Sequence, residues 1–121
     1  MIGSDGGHFT KMPHPRLWGT FTRVLGHYVR TRRLLTLEQA VHKMTGLPAA
    51  VFALPDRGRI ARGMAADITV LDPQRVQSMA TFDVPQQPSA GIEAVVVNGQ
   101  LAWFDGRVQQ RAGRLLPPGQ R

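Results

Sequence analysis

The spacing of the apolar residues changes once along this chain, near Leu54, and that change constrains the fold more than any other feature. Before it, apolar side chains recur at the spacing of one helix face; after it they come in short β-rich runs. Leu17, Phe21, Val24, Leu25, Tyr28 and Val29 mark a helix over about Trp18 to Arg32, and its arginine-rich last turn suits the negative end of the helix dipole. Thr36-Leu37-Glu38-Gln39 is a capping box, a hydroxyl cap with Gln39 three positions on. Leu37, Ala40, Val41, Met44 and Leu47 then form the inner face of a second helix, with Gly46 as its stop. Pro48 suits the first position of a third, short helix, Pro48 to Phe52. That third helix belongs to "PAAVFAL", which offers no polar side chains to base edges and argues against a DNA-binding helix-turn-helix. Ahead of the helices, Gly3, Gly6, Gly7, Pro13 and Pro15 exclude helix, and the first ten or so residues read as the end of a strand and then a loop.

Beyond Leu54, Pro55, Gly58 and Gly63 punctuate a turn-rich segment, and Asp67 to Asp72 reads as a strand ended by Asp72-Pro73. A looser stretch runs from Gln74 to Gly91. Ile92 to Val97, the favoured turn Asn98-Gly99, and Gln100 to Phe104 make a hairpin; Asp105-Gly106 turns again into Arg107-Val108. Gln109 to Arg121 reads as a frayed basic tail. Helices followed by strands, with no internal repeat, in 121 residues specify an α+β domain or part of one. The strand at Asp67–Asp72 has no hairpin partner nearby, and a two-stranded hairpin is marginal alone, so strands are expected to be missing.

A hydrophobic content of 42% excludes disorder throughout, and the absence of cysteine excludes disulfides and thiolate metal ligands. No secretory leader pattern opens the sequence, and no apolar run approaches the roughly 20 residues of a membrane helix. A soluble, cytoplasmic protein without a membrane partner is therefore expected. The net charge of +7 raises an alternative, a small basic module for nucleic acid or an acidic partner. The arginines are scattered from Arg16 to Arg114 rather than gathered in one run, so nucleic acid is not favoured.

Five segments, "GSDG", "PHPRLWGTFTRVLGHYVR", "LTLEQAVHKMTGLPAAVFAL", "DRGRIARGMAADITVLDP" and "AGIEAVVVNGQLAWFDG", together resemble the carboxyl-terminal part of the N-acyl-D-amino-acid deacylases (D-aminoacylases) of the metal-dependent amidohydrolase superfamily. The resemblance covers about Ile2 to Gly119. "PHPRLWGTF" points to the deacylase group, whereas the G-x-x-A-D of Gly63–Asp67 is widespread in amidohydrolases. The resemblance implies an α+β fragment: the last strand and closing helices of a (β/α)₈ barrel, followed by the carboxyl-terminal strands of a small β-sandwich. It divides the chain into residues 1–55 from the barrel, 56–110 from the sandwich and 111–121 as a basic tail. It implies hydrolysis of N-acyl-D-amino acids to a carboxylate and a D-amino acid by a zinc enzyme, with this chain inactive alone.

On the same resemblance Met1 to Ser4 is the stub of the eighth barrel strand and Asp5 its terminal aspartate. A charged residue at the carboxyl end of a barrel strand faces the active site, where one carboxylate can shuttle the proton of an attacking water. Asp5 is thus the expected catalytic residue, and a metal ligand only alongside ligands from outside this chain. His14 and Arg16 match the family's "HPR" and are candidate substrate-binding residues. The Arg16 fork fits a substrate carboxylate, or instead holds the loop to the barrel rim. "GGHFTKM" departs from the family's "G-x-x-H-D"-like stretch, leaving the loop's shape open. His8, His14 and Asp5 would supply three zinc ligands, but Pro13 and Pro15 in the loop argue against a preformed site. His27 and His42 are expected on the solvated sides of their helices. Trp18, Phe21, Trp103 and Phe104 are expected to pack, with Trp103–Phe104 as a patch vacated by missing chain. Docking onto the missing barrel, or self-association through strand edges, is the expected protein–protein contact.

Overall fold

The computed structural model describes residues 1–7 and 11–116. Helix α1 (Arg16–Arg23) runs without a break into a π-helical segment, Val24–Thr31, giving the single long rod that the apolar spacing predicts. The winding widens where Gly26 backs onto the chain around Val76. A Cβ at Gly26 would lie 2.7 Å from the Val76 carbonyl oxygen, and the Arg30 guanidinium donates to the carbonyls of Pro73 (3.0 Å) and Val76 (2.7 Å). π-Turns arise where a helix must fit such a local constraint, and periodicity alone does not signal them.

Helix α2 (Leu37–Met44) begins at the expected capping box: the Gln39 amide donates to Thr36 Oγ1 at 3.2 Å, and the Thr36 amide to Gln39 Oε1 at 3.0 Å. The Glu38 carboxyl lies below its ordinary range, chiefly through a backbone hydrogen bond at Glu38 and then through Thr36. Its contribution to folding is therefore present above the unfolded carboxyl's pKa and is lost as pH falls through the folded value. Thr36→Ala is expected to cost about 1 kcal/mol, read as a lower urea midpoint at unchanged m. Gly46 does not stop this helix. Thr45 does, and Gly46 opens α3 (Gly46–Val51), two residues ahead of the expected Pro48 start. The Ala49 amide already donates to the Thr45 carbonyl (3.0 Å), so the new helix is under way before the proline.

Strands β1 (Ile68–Leu71), β2 (Ile92–Val97), β3 (Gln100–Phe104) and β4 (Arg107–Val108) form one antiparallel sheet in sequence order. Asn98 (φ 49°) and Gly99 (φ 78°) make the first tight turn, Asp105 (φ 46°) and Gly106 (φ 76°) the second, as their sequences require. As expected, β1 has no hairpin partner close by in sequence. It pairs with β2, Thr69 opposite Val95 and Val70 opposite Ala94, after a long connection that also bridges Gln77 to Ala90. The separation along the sequence concealed that partner.

The core lies where helices and sheet meet. Val24, Leu25, Ala40 and Val76 are buried together, with Ile2, Val29, Leu35, Leu37, Met44, Leu71 and Ile92 packed around them. Val76, at 1% exposure, comes from the stretch that looked loosest in sequence. Gly91 (φ 74°) lets the chain close over it, since a Cβ there would lie 2.3 Å from the Val76 nitrogen. On the sheet's other face the register aligns Ile68, Val70, Ala94, Val96, Leu101 and Phe104, an apolar surface on which Val70, Leu101 and Phe104 are exposed and the others half-buried. Trp18 (45%), Phe21 (46%) and Phe104 (50%) are about half exposed, whereas Trp103 is half-buried, so the expected Trp103–Phe104 patch is formed by Phe104 without its neighbour. Among the described residues, no helix is long and apolar enough to cross a membrane.

Candidate functional site

Asp5 stands at the start of the chain, just before the loop into α1. Its backbone is left-handed (φ 49°), a region that aspartate tolerates better than most residues. Ser4 supports the turn, its Oγ accepting from the Gly6 amide at 3.3 Å, and Gly6 is needed because a Cβ there would meet the Leu17 Cα at 2.8 Å. Ile2 anchors the segment to α2 through its amide and the Lys43 carbonyl (3.0 Å). Within the described residues, residues 1–7 pair with no strand.

The Asp5 side chain is 88% exposed and its Oδ2 lies 2.9 Å from Nη2 of Arg16. His14 completes the group: its Nδ1 accepts the Arg16 amide at 3.0 Å, at the entry to α1. The ring of Phe82, from the β1–β2 connection, meets the His14 imidazole edge to face at 5.0 Å. The three residues singled out from sequence, Asp5, His14 and Arg16, are thus brought together. Phe82 was missed, and nothing in its local sequence marks it.

Chemically, the cluster offers one open carboxylate, one guanidinium partly engaged with it, and an imidazole with Nδ1 occupied. Among the described residues, no three His, Asp or Glu side chains converge to hold a metal ion. His8 lies outside the described residues. His27 is half-buried against Tyr28, a 5.0 Å edge contact, and His42 is exposed.

A second polar cluster lies at the β2–β3 turn. Arg57, 9% exposed, pairs through Nη1 with Asp67 and donates through Nη2 to Asn98 Oδ1 at 2.9 Å. Asp67 Oδ1 accepts the Asn98 amide at 2.8 Å, and the Asn98 side chain donates to the Ala112 carbonyl at 2.6 Å. The aspartate of G-x-x-A-D thereby fastens the β2–β3 turn to the segment ahead of the sheet. Its work is structural.

The sequence profile of the amidohydrolase family matches residues 1–102, and the chain belongs to that family. Within it, the similarity is to enzymes acting on N-acyl-D-amino acids. The chain is 56% identical over 116 residues to the N-acyl-D-glutamate deacylase of Alcaligenes xylosoxydans xylosoxydans, covering 96% of this chain and 24% of that one. It is 53% identical to the D-aminoacylase of the same organism, again over 96% of this chain and 24% of the relative. Among solved structures, a D-aminoacylase described as defining a novel subset of amidohydrolases superposes with a TM-score of 0.92 at 52% identity, over 95% of this chain and 24% of that one. The N-acyl-D-glutamate deacylase of Bordetella bronchiseptica, complexed with zinc and a phosphonate mimic of the tetrahedral intermediate, gives 0.90 at 51% identity, over 96% and 24%. The chain therefore spans about a quarter of the length of the relatives it matches.

Proposed function

We propose that this chain is the carboxyl-terminal portion of a zinc-dependent deacylase that hydrolyses N-acyl-D-amino acids to a carboxylate and a D-amino acid, with Asp5 as its proton carrier. The observation that carries the reading is the 56% identity to an N-acyl-D-glutamate deacylase over 96% of this chain, against 24% of that enzyme. In this reading residues 1–55 belong to a (β/α)₈ barrel, as the end of its eighth strand and the helices that follow. Residues 56–110 contribute strands to a β-sandwich, and 111–121 form a basic tail. The exposed area supports it. Trp18, Phe21, Val70, Leu101 and Phe104 are about half exposed, faces that further chain would cover.

Among the described residues none gathers a zinc site, since Asp5 offers one carboxylate and His14 has Nδ1 engaged. Zinc, held by ligands from the rest of the enzyme, would supply a water acidic enough to attack at neutral pH. The Asp5 carboxylate would take the proton released as a water adds to the amide carbon. It returns the proton to the nitrogen as the C–N bond breaks, leaving a free amine and a carboxylate. Arg16 and His14 are the proposed substrate-binding residues, with the free guanidinium donors of Arg16 directed to a substrate carboxylate.

The test is the release of D-glutamate from N-acetyl-D-glutamate. The purified chain, supplied with zinc, is expected to release none above a metal-free control. A hybrid in which residues 1–116 replace the matching quarter of the N-acyl-D-glutamate deacylase is expected to release it. Turnover by the chain alone, or a folded, zinc-containing hybrid without turnover, would contradict the proposal.

A further inference from the structure

We infer that Phe82, on the β1–β2 connection, is a positioning residue for the Asp5 site, acting through His14 and Arg16. The inference rests on Asp5 being the proton carrier proposed above. Phe82 is 74% exposed, so no core holds it where it is. A tight turn does: the Thr81 amide donates to the Val84 carbonyl at 3.2 Å, and the Val84 amide to Thr81 Oγ1 at 3.0 Å. Pro85, buried immediately after, fixes the turn to the body of the chain. Phe82 is presented at the turn's tip, edge to face with His14 at an interplanar angle of 80°.

That contact bears on Asp5 because each link is short. An exposed imidazole samples several rotamers, and the observed one sets Nδ1 on the Arg16 amide at 3.0 Å. The aromatic edge favours that rotamer. With His14 fixed, the entry to α1 is fixed, and Arg16 extends from it to the Asp5 carboxylate at 2.9 Å. An ion pair this exposed is weak in itself, so where the carboxylate points depends on how well Arg16 is held rather than on the strength of the pair. Phe82 thus ties the sheet's long connection to the orientation of the proton carrier, and a small misplacement of such a group is costly to turnover.

Two measurements test this. In the whole chain, the ¹⁵N shifts of the His14 ring are expected to report an acceptor Nδ1 in the wild type and in Phe82→Tyr, and to move towards mixed tautomers in Phe82→Leu. In the hybrid enzyme, Phe82→Leu is expected to lower kcat about tenfold, with KM rising as well because His14 and Arg16 are the proposed substrate-binding residues, while Phe82→Tyr restores both. His14 shifts unaltered by Phe82→Leu, or a raised KM with wild-type kcat, would overturn the inference. Asp5→Asn in the same hybrid separates the two proposals. If it abolishes turnover while Phe82→Leu does nothing, the positioning role fails alone; if it leaves turnover intact, the deacylase assignment of Asp5 fails, and the His14 shifts still decide whether Phe82 orders that ring.

Discussion

In the hybrid enzyme, Asp5→Asn is expected to lower kcat by about 10² to 10⁴-fold while KM changes little. Asparagine keeps the size of the side chain and an oxygen to accept from Arg16, but it cannot carry a proton at neutral pH. The loss therefore falls on the chemical step. The substitution is expected to leave folding almost untouched, since Asp5 is 88% exposed and its pair with Arg16 is open to water. An exposed ion pair of that kind contributes about 0–1 kcal/mol. Steady-state kinetics beside a thermal melt separates the two effects, and a variant that melts like the wild type yet turns over normally would remove Asp5 from the mechanism.

The largest stability effect is expected at Asp67. Asp67→Ala removes the nearer carboxylate of the Arg57 guanidinium, which is 9% exposed and keeps only Asp56 Oδ1 at 3.7 Å from Nε and the Asn98 Oδ1 acceptor, and it leaves the Asn98 amide without its own acceptor. Breaking a fully buried pair costs several kcal/mol; because Asp67 is itself 36% exposed, water reaches the gap, and a loss of about 2–3 kcal/mol is expected. Asp67→Asn, which retains an acceptor for Asn98, should fall between Ala and wild type. Urea unfolding of the chain measures both. A midpoint unchanged in Asp67→Ala would mean that the β2–β3 turn is held by its own backbone alone.

Local chemistry was legible in the residues where it is self-contained. The capping box at Thr36–Gln39 and the turns at Asn98-Gly99 and Asp105-Gly106 formed as their sequences dictate, because each needs only its immediate neighbours. Contacts between distant segments were not legible. Val76 carries no periodic signal because it is an isolated residue in an irregular connection, and it is buried only once Gly91 and the π-helical segment close on it. The pairing of β1 with β2 was hidden by the chain between them, and the role of Arg57 by a partner that folding alone brings near.

The same division holds at the site. Asp5, His14 and Arg16 were singled out through the resemblance to a family, on "GSDG" and "HPR"; composition and periodicity gave no sign of them. Their mutual arrangement is different information. That Arg16 reaches Asp5, and that His14 Nδ1 accepts the Arg16 amide, follows from the path of the loop into α1. Phe82 joins them across the sheet connection, beyond any spacing rule.

The central claim is that the Asp5 carboxylate faces a metal-held water in the assembled enzyme. The direct measurement is a crystal structure of the zinc-loaded hybrid, with the metal located by anomalous scattering. The claim predicts an Asp5 oxygen within about 3 Å of the zinc or of the water it holds; a carboxylate turned to bulk solvent, more than roughly 6 Å from both and so out of proton-transfer reach, would contradict it.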